Sequence, residues 1–265
     1  MVSIKTGNTL KKALGIRPGE VVSLVGGGGK TTLMYSLAQE MIVPKNLIIS
    51  TTTTKIFPPS SFETSYLLLS REEKEIVDFI LKNINKFRHI TLASEKLAPS
   101  GKLRGINPEL VSKLSKLRSV NNIIVEADGA AGRSLKAPNP AYEPVIPRNT
   151  SLVVPVVGID ALGCKLAEEY VFRSKIAAQL TGKALGEIVS SDTIATLMTH
   201  PSGICKGSPN GARIIPFINK VDRSTDVALA KGVAFKILDA KHPQIDRVIL
   251  GRASLNPPVV EVIFQ

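Results

Sequence analysis

The 265-residue chain has no tryptophan, two cysteines and three histidines, and aromatic residues make up 5% of it. Each scarcity excludes a class of protein. Cys164 and Cys205 are too few for a disulfide framework, and no Cys-x-x-Cys spacing marks a zinc or redox motif. His89, His200 and His242 lie far apart, without metal-ligand spacing. So few aromatics give no stacking platform for bases, and a nucleic-acid partner is not expected. No apolar run approaches the roughly 20 residues that span a bilayer, so no membrane is expected. Met1 to Thr9 lacks the basic-then-apolar pattern of a signal peptide, and with the sparse cysteines this points to the cytoplasm. Acidic residues are also short, 22 against 34 Lys and Arg, for a net charge of +12. That balance attracts anions, nucleotides among them.

Hydrophobic residues make up 43% of the chain, enough for a substantial core. Short β-branched runs recur at Val21–Val25, Leu47–Ser50, His89–Ala93, Asn122–Val125, Ser151–Val157, Ile214–Ile218 and Arg247–Leu250. They read as parallel strands buried on both faces. Between them, helical patterns cover Thr32–Met41, Arg71–Asn85, Pro108–Leu117, Glu168–Leu180, Ser191–Met198 and Asp226–Ala240. Val259–Phe264 reads as an edge strand, and Gly129–Asn149 as a long ordered loop. The alternation predicts one α/β domain over residues 1–265, a mostly parallel, doubly wound sheet flanked by helices as in P-loop NTPases.

The richest stretch is Gly26-Gly27-Gly28-Gly29-Lys30-Thr31-Thr32, between a strand and a helix. Strand, glycine loop, Lys-Thr and helix is the order of a phosphate-binding loop. Glycines let backbone N–H groups turn toward one anion, and the helix adds its positive dipole end. Lys30 can reach the β- and γ-phosphates while the Thr31 hydroxyl binds Mg²⁺. The usual pattern asks for a glycine where Leu24 stands, so the loop is read as a shortened one starting at Gly26.

Asn122–Val125 runs into Glu126-Ala127-Asp128-Gly129, a hydrophobic strand ending in carboxylates. Such a strand end supplies the acid side of a Mg²⁺ site. Spaced by two, Glu126 and Asp128 point to one face. One can bind metal and the other orient an attacking water; Thr31 and Asp128 are the expected metal ligands, and Lys30, Glu126 and Asp128 the expected catalytic set. Asn219-Lys220-Val221-Asp222 resembles the Asn-Lys-x-Asp motif of GTPases, in which a carboxylate accepts from guanine N1–H and N2–H₂. Asn219 meets the base edge or ties neighbouring loops, and the Lys220 stem lies along the base. GTP is therefore expected ahead of ATP, and Leu250–Arg252 falls where a final base-contacting loop would be. Thr54 and Lys55, ending a threonine-rich strand, are candidates for contact with the γ-phosphate or the metal. Arg133, Lys136 and Asp160 are weaker substrate candidates.

These motifs together resemble the YqeC family of selenium-dependent hydroxylase accessory proteins. The likeness lies in residues 26–35, 51–56 and 126–130, Lys136-Ala137-Pro138, 158–163, 203–207 and Asn219–Asp222. It implies a P-loop protein serving maturation of selenium-dependent molybdenum hydroxylases, with such a hydroxylase or its cofactor-assembly proteins as partners. By analogy with metal-inserting GTPase chaperones it also implies a homodimer. One departure is Val171 before Phe172-Arg173, where a His-Arg pair is expected. The leading expectation is a Mg²⁺-dependent NTPase. A kinase, with an acceptor pocket under Gly129–Asn149 and Pro201–Gly211, and a non-catalytic nucleotide-gated scaffold are its rivals.

Overall fold

A computed structural model describes residues 9–44 and 47–265, and the backbone of 3–4. Most of the Met1–Thr9 stretch read for a signal peptide therefore lies outside the described residues. Eleven strands form one sheet. In chain order they are β1 (Ser3–Ile4), β2 (Val21–Gly26), β3 (Leu47–Thr52), β4 (Leu67–Leu69), β5 (His89–Ala93), β6 (Val120–Glu126), β7 (Leu152–Gly158), β8 (Arg213–Ile214), β9 (Phe217–Asn219), β10 (Arg247–Gly251) and β11 (Val259–Phe264). The helices are α1 (Leu10–Leu14), α2 (Lys30–Glu40), α3 (Glu73–Asn83), α4 (Pro108–Leu114), α5 (Ser174–Thr181), α6 (Ser191–Thr199) and α7 (Ser224–Asp239).

The sheet order is β1-β11-β10-β9-β7-β2-β6-β3-β5-β4, with β8 also on β7. From β10 to β4 all pairings are parallel, and at one edge β11 pairs antiparallel with both β10 and β1. The expected α/β, mostly parallel, P-loop NTPase-like architecture is the one observed. β2 sits between β6 and β7, with Leu24 level with both Glu126 and Val154. The chain winds outward from β2 in both directions, so the crevice beyond its carboxyl end is where such folds place ligands.

Alternation along the strands feeds two cores. Val22, Leu24, Ile48, Ile124 and Val154 pack with Leu14, Leu33, Met34 and Leu37 of α1 and α2. Val21, Val25, Ile49, Ile123 and Val153 pack on the other face with Ile76, Leu110, Ile194 and Val233 of α3, α4, α6 and α7. Burying each such aliphatic side chain stabilises the fold by about 1.5–3 kcal/mol. This clamps β2 from four sides and fixes where its terminal glycines emerge.

Two expectations need correction, and one helix was missed. Ile214–Ile218 is not continuous, because Pro216 has no N–H and splits it into β8 and β9, both on β7. The helix expected from Glu168 begins at Ser174: Val171-Phe172 instead pairs with Leu135-Lys136, and Arg173 has a φ of 60°. Glu168 becomes the cap, accepting from the N–H groups of Arg173 and Ser174, each at 2.9 Å. The short helix α1 escaped the sequence reading. It is held by Glu40, whose carboxylate accepts from the Leu10 and Lys11 N–H groups at 2.6 and 2.7 Å. Among the described residues no helix is long and apolar enough to cross a membrane.

Candidate functional site

Leu24 lies wholly buried within β2, so no turn begins there and the strand runs on to Gly26. The loop is thus the short one. Gly28 and Gly29 have φ of 75° and 111°, a region closed to most side chains. A Cβ on Gly28 would collide with the Gly158 backbone, and one on Gly29 would lie 2.6 Å from the Asn219 amide nitrogen. Three loop amides hold the loop in place: Gly26 N–H donates to the Asp128 carboxylate (3.1 and 3.0 Å), Gly27 N–H to the Val156 carbonyl (2.9 Å) and Gly28 N–H to the Arg133 carbonyl (3.0 Å). The first intrahelical bond runs from Leu33 N–H to the Gly29 carbonyl at 3.0 Å. The N–H groups of Lys30, Thr31 and Thr32 precede it and have no partner within the helix. Gly28, Gly29, Lys30, Thr31 and Thr32 line a cleft of about 670 Å³, whereas Gly26 and Gly27 lie behind it.

Beneath the loop is a chain of buried charge. The Lys30 ammonium, 4% exposed, donates to the Gly26 carbonyl at 2.7 Å and lies 3.2 Å from Asp128 and 3.6 Å from Glu126. Burial alone would lower its pKa; Asp128, then Glu126, more than offset this and hold it above the ordinary lysine value. Asp128 also meets the Lys136 ammonium at 3.0 Å, and Lys136 meets Glu143 at 2.6 Å. Glu143 in turn pairs with Arg173. Burial works against Glu143, but Arg173 and Lys136 hold its carboxyl below the usual range. Lys30, Lys136 and Arg173 thus balance Glu126, Asp128 and Glu143.

The expected pairing of Thr31 with Asp128 around Mg²⁺ is not what the structure assembles. The Thr31 hydroxyl donates to Glu126 at 2.6 Å. Asp128 is fully buried, both oxygens turned to the Gly26 amide and the lysines, away from the cleft that Glu126 lines. Burial raises the Glu126 pKa, against the pull of Lys30 and Thr31. Lys136, taken as a substrate candidate, is fully buried and structural. Among the described residues no group of three or more His, Cys, Asp or Glu could hold a metal by itself.

At the other end, Asn219 ties two loops, one of the two roles expected of it. Its amide donates to the Gly28 carbonyl at 2.8 Å and accepts from Ala253 N–H at 2.9 Å. Lys220 lines the cleft, with φ of 63° and bonds to Ser134 at 2.7 Å and Asp160 at 2.8 Å. Asp222 is exposed and lines a separate hollow of about 410 Å³ with Asp160 and Lys220. Lys55 and Arg133 reach the main cleft, whereas Thr54 lines a neighbouring cavity. The Pro201–Gly211 loop does not line that cavity; its Lys206 donates to the carbonyls of Asn139 and Pro140 at 3.1 and 2.6 Å and braces the other loop. Val171, the departure noted in the sequence, is buried on the strand pairing with Leu135. Glu143, Lys102, Phe57 and Tyr142 were not singled out from sequence, and Arg173 was named only within the Val171-Phe172-Arg173 departure.

A family model described as YqeC protein matches residues 22–175. That span runs from β2 to the first turn of α5 and includes the glycine loop and the whole buried charge chain. The chain is also similar to a protein of Escherichia coli (strain K12) described as uncharacterized protein YqeC, with 30% identity over 239 residues, 90% of each chain.

Proposed function

The chain belongs to the YqeC family, and we propose that it is a Mg²⁺-dependent nucleoside triphosphatase that uses GTP. The observation that carries this reading is the convergence, on one cleft of about 670 Å³, of the helix N-terminus at Lys30–Thr32 and the Thr31–Glu126 pair, with the Lys30 ammonium buried directly beneath the loop. The β- and γ-phosphates lie against the amides of Lys30, Thr31 and Thr32, where the helix dipole favours negative charge. Lys30 is held charged by Asp128 and stabilises charge developing on the phosphates. Mg²⁺ fits the donor set, since a hydroxyl and a carboxylate 2.6 Å apart are hard oxygen donors and this ion keeps most of its ligands as water and phosphate. Thr31 and Glu126 would hold it, and when bound it supplies neutralisation of phosphate charge.

Around the electrically balanced chain, Lys55, Lys102 and Arg133 form no ion pair among the described residues. They supply the cleft's net attraction for an anion. Support for guanine comes from the Asn219–Asp222 sequence and from Asp222, whose carboxylate has no hydrogen-bond donor among the described residues. The role in maturing selenium-dependent molybdenum hydroxylases rests on the family resemblance. The test is GTP turnover by wild type and Lys30→Ala with Mg²⁺ present. Turnover confined to wild type is expected, and equal turnover by both would sink the mechanism.

A further inference from the structure

Beside the nucleotide cleft lies a second cavity, of about 690 Å³. Lys55, Lys102, Gly129 and Ala131 line both, so the two spaces adjoin. The second is walled by Thr54 from the end of β3, by Tyr142 and Val145 from the long loop, and by Phe172 and Arg173 ahead of α5. The nucleotide reading uses only the shared Lys55 and Lys102, and leaves Tyr142, Val145, Phe172 and Arg173 without a role.

Three features describe what would fill it. First, Lys55 and Lys102 have no carboxylate partner among the described residues, while Arg104 on the same wall is matched by Glu95 at 3.0 Å. Two unmatched ammonium groups over one hollow favour an anion. Second, large aromatic surface is left in water there. Tyr142 is 62% exposed, and Phe57, at the mouth of the adjoining cleft, is 64% exposed. Third, cations already stack on these rings: the Lys102 ammonium lies 4.7 Å from the Phe57 centroid and the Arg173 guanidinium 4.4 Å from that of Phe172. Aromatic faces beside the unmatched Lys55 and Lys102, with Arg173 already neutralised by Glu143, suit a flat ring that carries a negative group.

The buried charge chain gives this wall its rigidity. Arg173 is anchored by Glu143, Glu143 by Lys136, and Lys136 by Asp128, which also holds the Gly26 amide. The same ion pairs therefore shape the phosphate loop and the far wall of the second cavity.

We infer that this cavity is a second ligand site, for a small aromatic compound bearing a phosphate or carboxylate, with Lys55 and Lys102 meeting the anion and Tyr142 and Phe172 flanking the ring. The inference rests on the nucleotide reading only for its orientation, which sets the ligand beside the γ-phosphate end. Its test needs no nucleotide. Calorimetric titration of the nucleotide-free protein compares phenyl phosphate, benzoate, inorganic phosphate and benzyl alcohol as probes. One of the two aromatic anions binds at least tenfold more tightly than inorganic phosphate or benzyl alcohol. Tyr142→Ala, at an exposed residue outside the nucleotide cleft, weakens it about threefold to tenfold, in the range of one aromatic contact. The Lys55→Ala/Lys102→Ala double variant weakens it tenfold or more with an unchanged melting temperature. Aromatic anions that bind no better than inorganic phosphate, or binding untouched by either variant, overturn the inference. Because GTP is absent throughout, a failed GTP titration and a failed second site are separate results.

Discussion

Beneath the glycine loop, Lys30, Asp128 and Lys136 are at most 4% exposed and linked by ion pairs of 3.2 and 3.0 Å, whereas in the Asn219–Asp222 segment Asp222 stands in solvent at a separate hollow and Lys220 is held by surface bonds to Ser134 and Asp160. One region is built into the sheet; the other sits on its rim. Buried charges act in a low dielectric and are set before any ligand arrives, so they give strength without reorganisation. Exposed groups are screened and adjustable, and they suit discrimination better than affinity. The family model spans the first region and stops before the second. On the proposed reading, phosphate handling belongs to the region built into the sheet and base choice to the rim.

The contrast is broken most directly at Asp128. Asp128→Ala leaves Lys30 and Lys136 buried without their shared partner, and about 3–5 kcal/mol of stability is lost. Denaturant unfolding measures this, and a loss under about 1 kcal/mol would mean the charge chain is ornamental. Lys30→Ala lowers nucleotide turnover by about 10²–10³-fold, the usual effect of deleting one preorganised donor to a developing charge.

A pH effect of similar size belongs to the buried side. His89 on β5 is fully buried, bonded through one ring nitrogen to Ser50 at 2.8 Å, with the other unpartnered. Burial lowers its pKa to about 4. The fold therefore favours the neutral ring. Its contribution is complete above the unfolded value of about 6.5 and is lost as pH falls toward 4, amounting to about 3 kcal/mol. Urea midpoints followed from pH 7 to 4 should fall accordingly in wild type, and far less in His89→Gln.

The smaller effects lie toward the rim. Asn219→Ala frees the Gly28 carbonyl and the Ala253 N–H, lowering stability by about 1–3 kcal/mol and weakening GTP and ATP alike. Asp222→Ala leaves stability within about 0.5 kcal/mol. It reduces the ratio of GTP to ATP affinity by about tenfold, the worth of a modest bidentate base contact. A variant that weakens both nucleotides equally would move Asp222 out of base recognition.

What could be read from the sequence follows the same division. Most parallel strands were legible because burial on both faces writes them as continuous apolar runs; Pro216 divided one of them unexpectedly, and the less buried edge strand β4 (Leu67–Leu69) was missed. The glycine loop was legible because the Gly158 backbone crowds Gly28, the Asn219 amide crowds Gly29, and both have a left-handed backbone that disfavours side chains. The allocation of the two carboxylates was not. Glu126 and Asp128 have the same spacing whichever one turns to the cleft, and the choice depends on Lys136, which a loop folds back beneath Asp128. The pairing of Glu143 with Arg173 escaped notice for a related reason. They meet across 30 positions of chain through a left-handed residue that no local pattern announces.

The central claim is that the short loop at Gly26–Thr32 holds a nucleoside triphosphate. Calorimetric titration of the protein with GTP and with ATP, Mg²⁺ present, tests it most directly. The account predicts saturable one-to-one binding of both with GTP the tighter, and binding of neither nucleotide would contradict it.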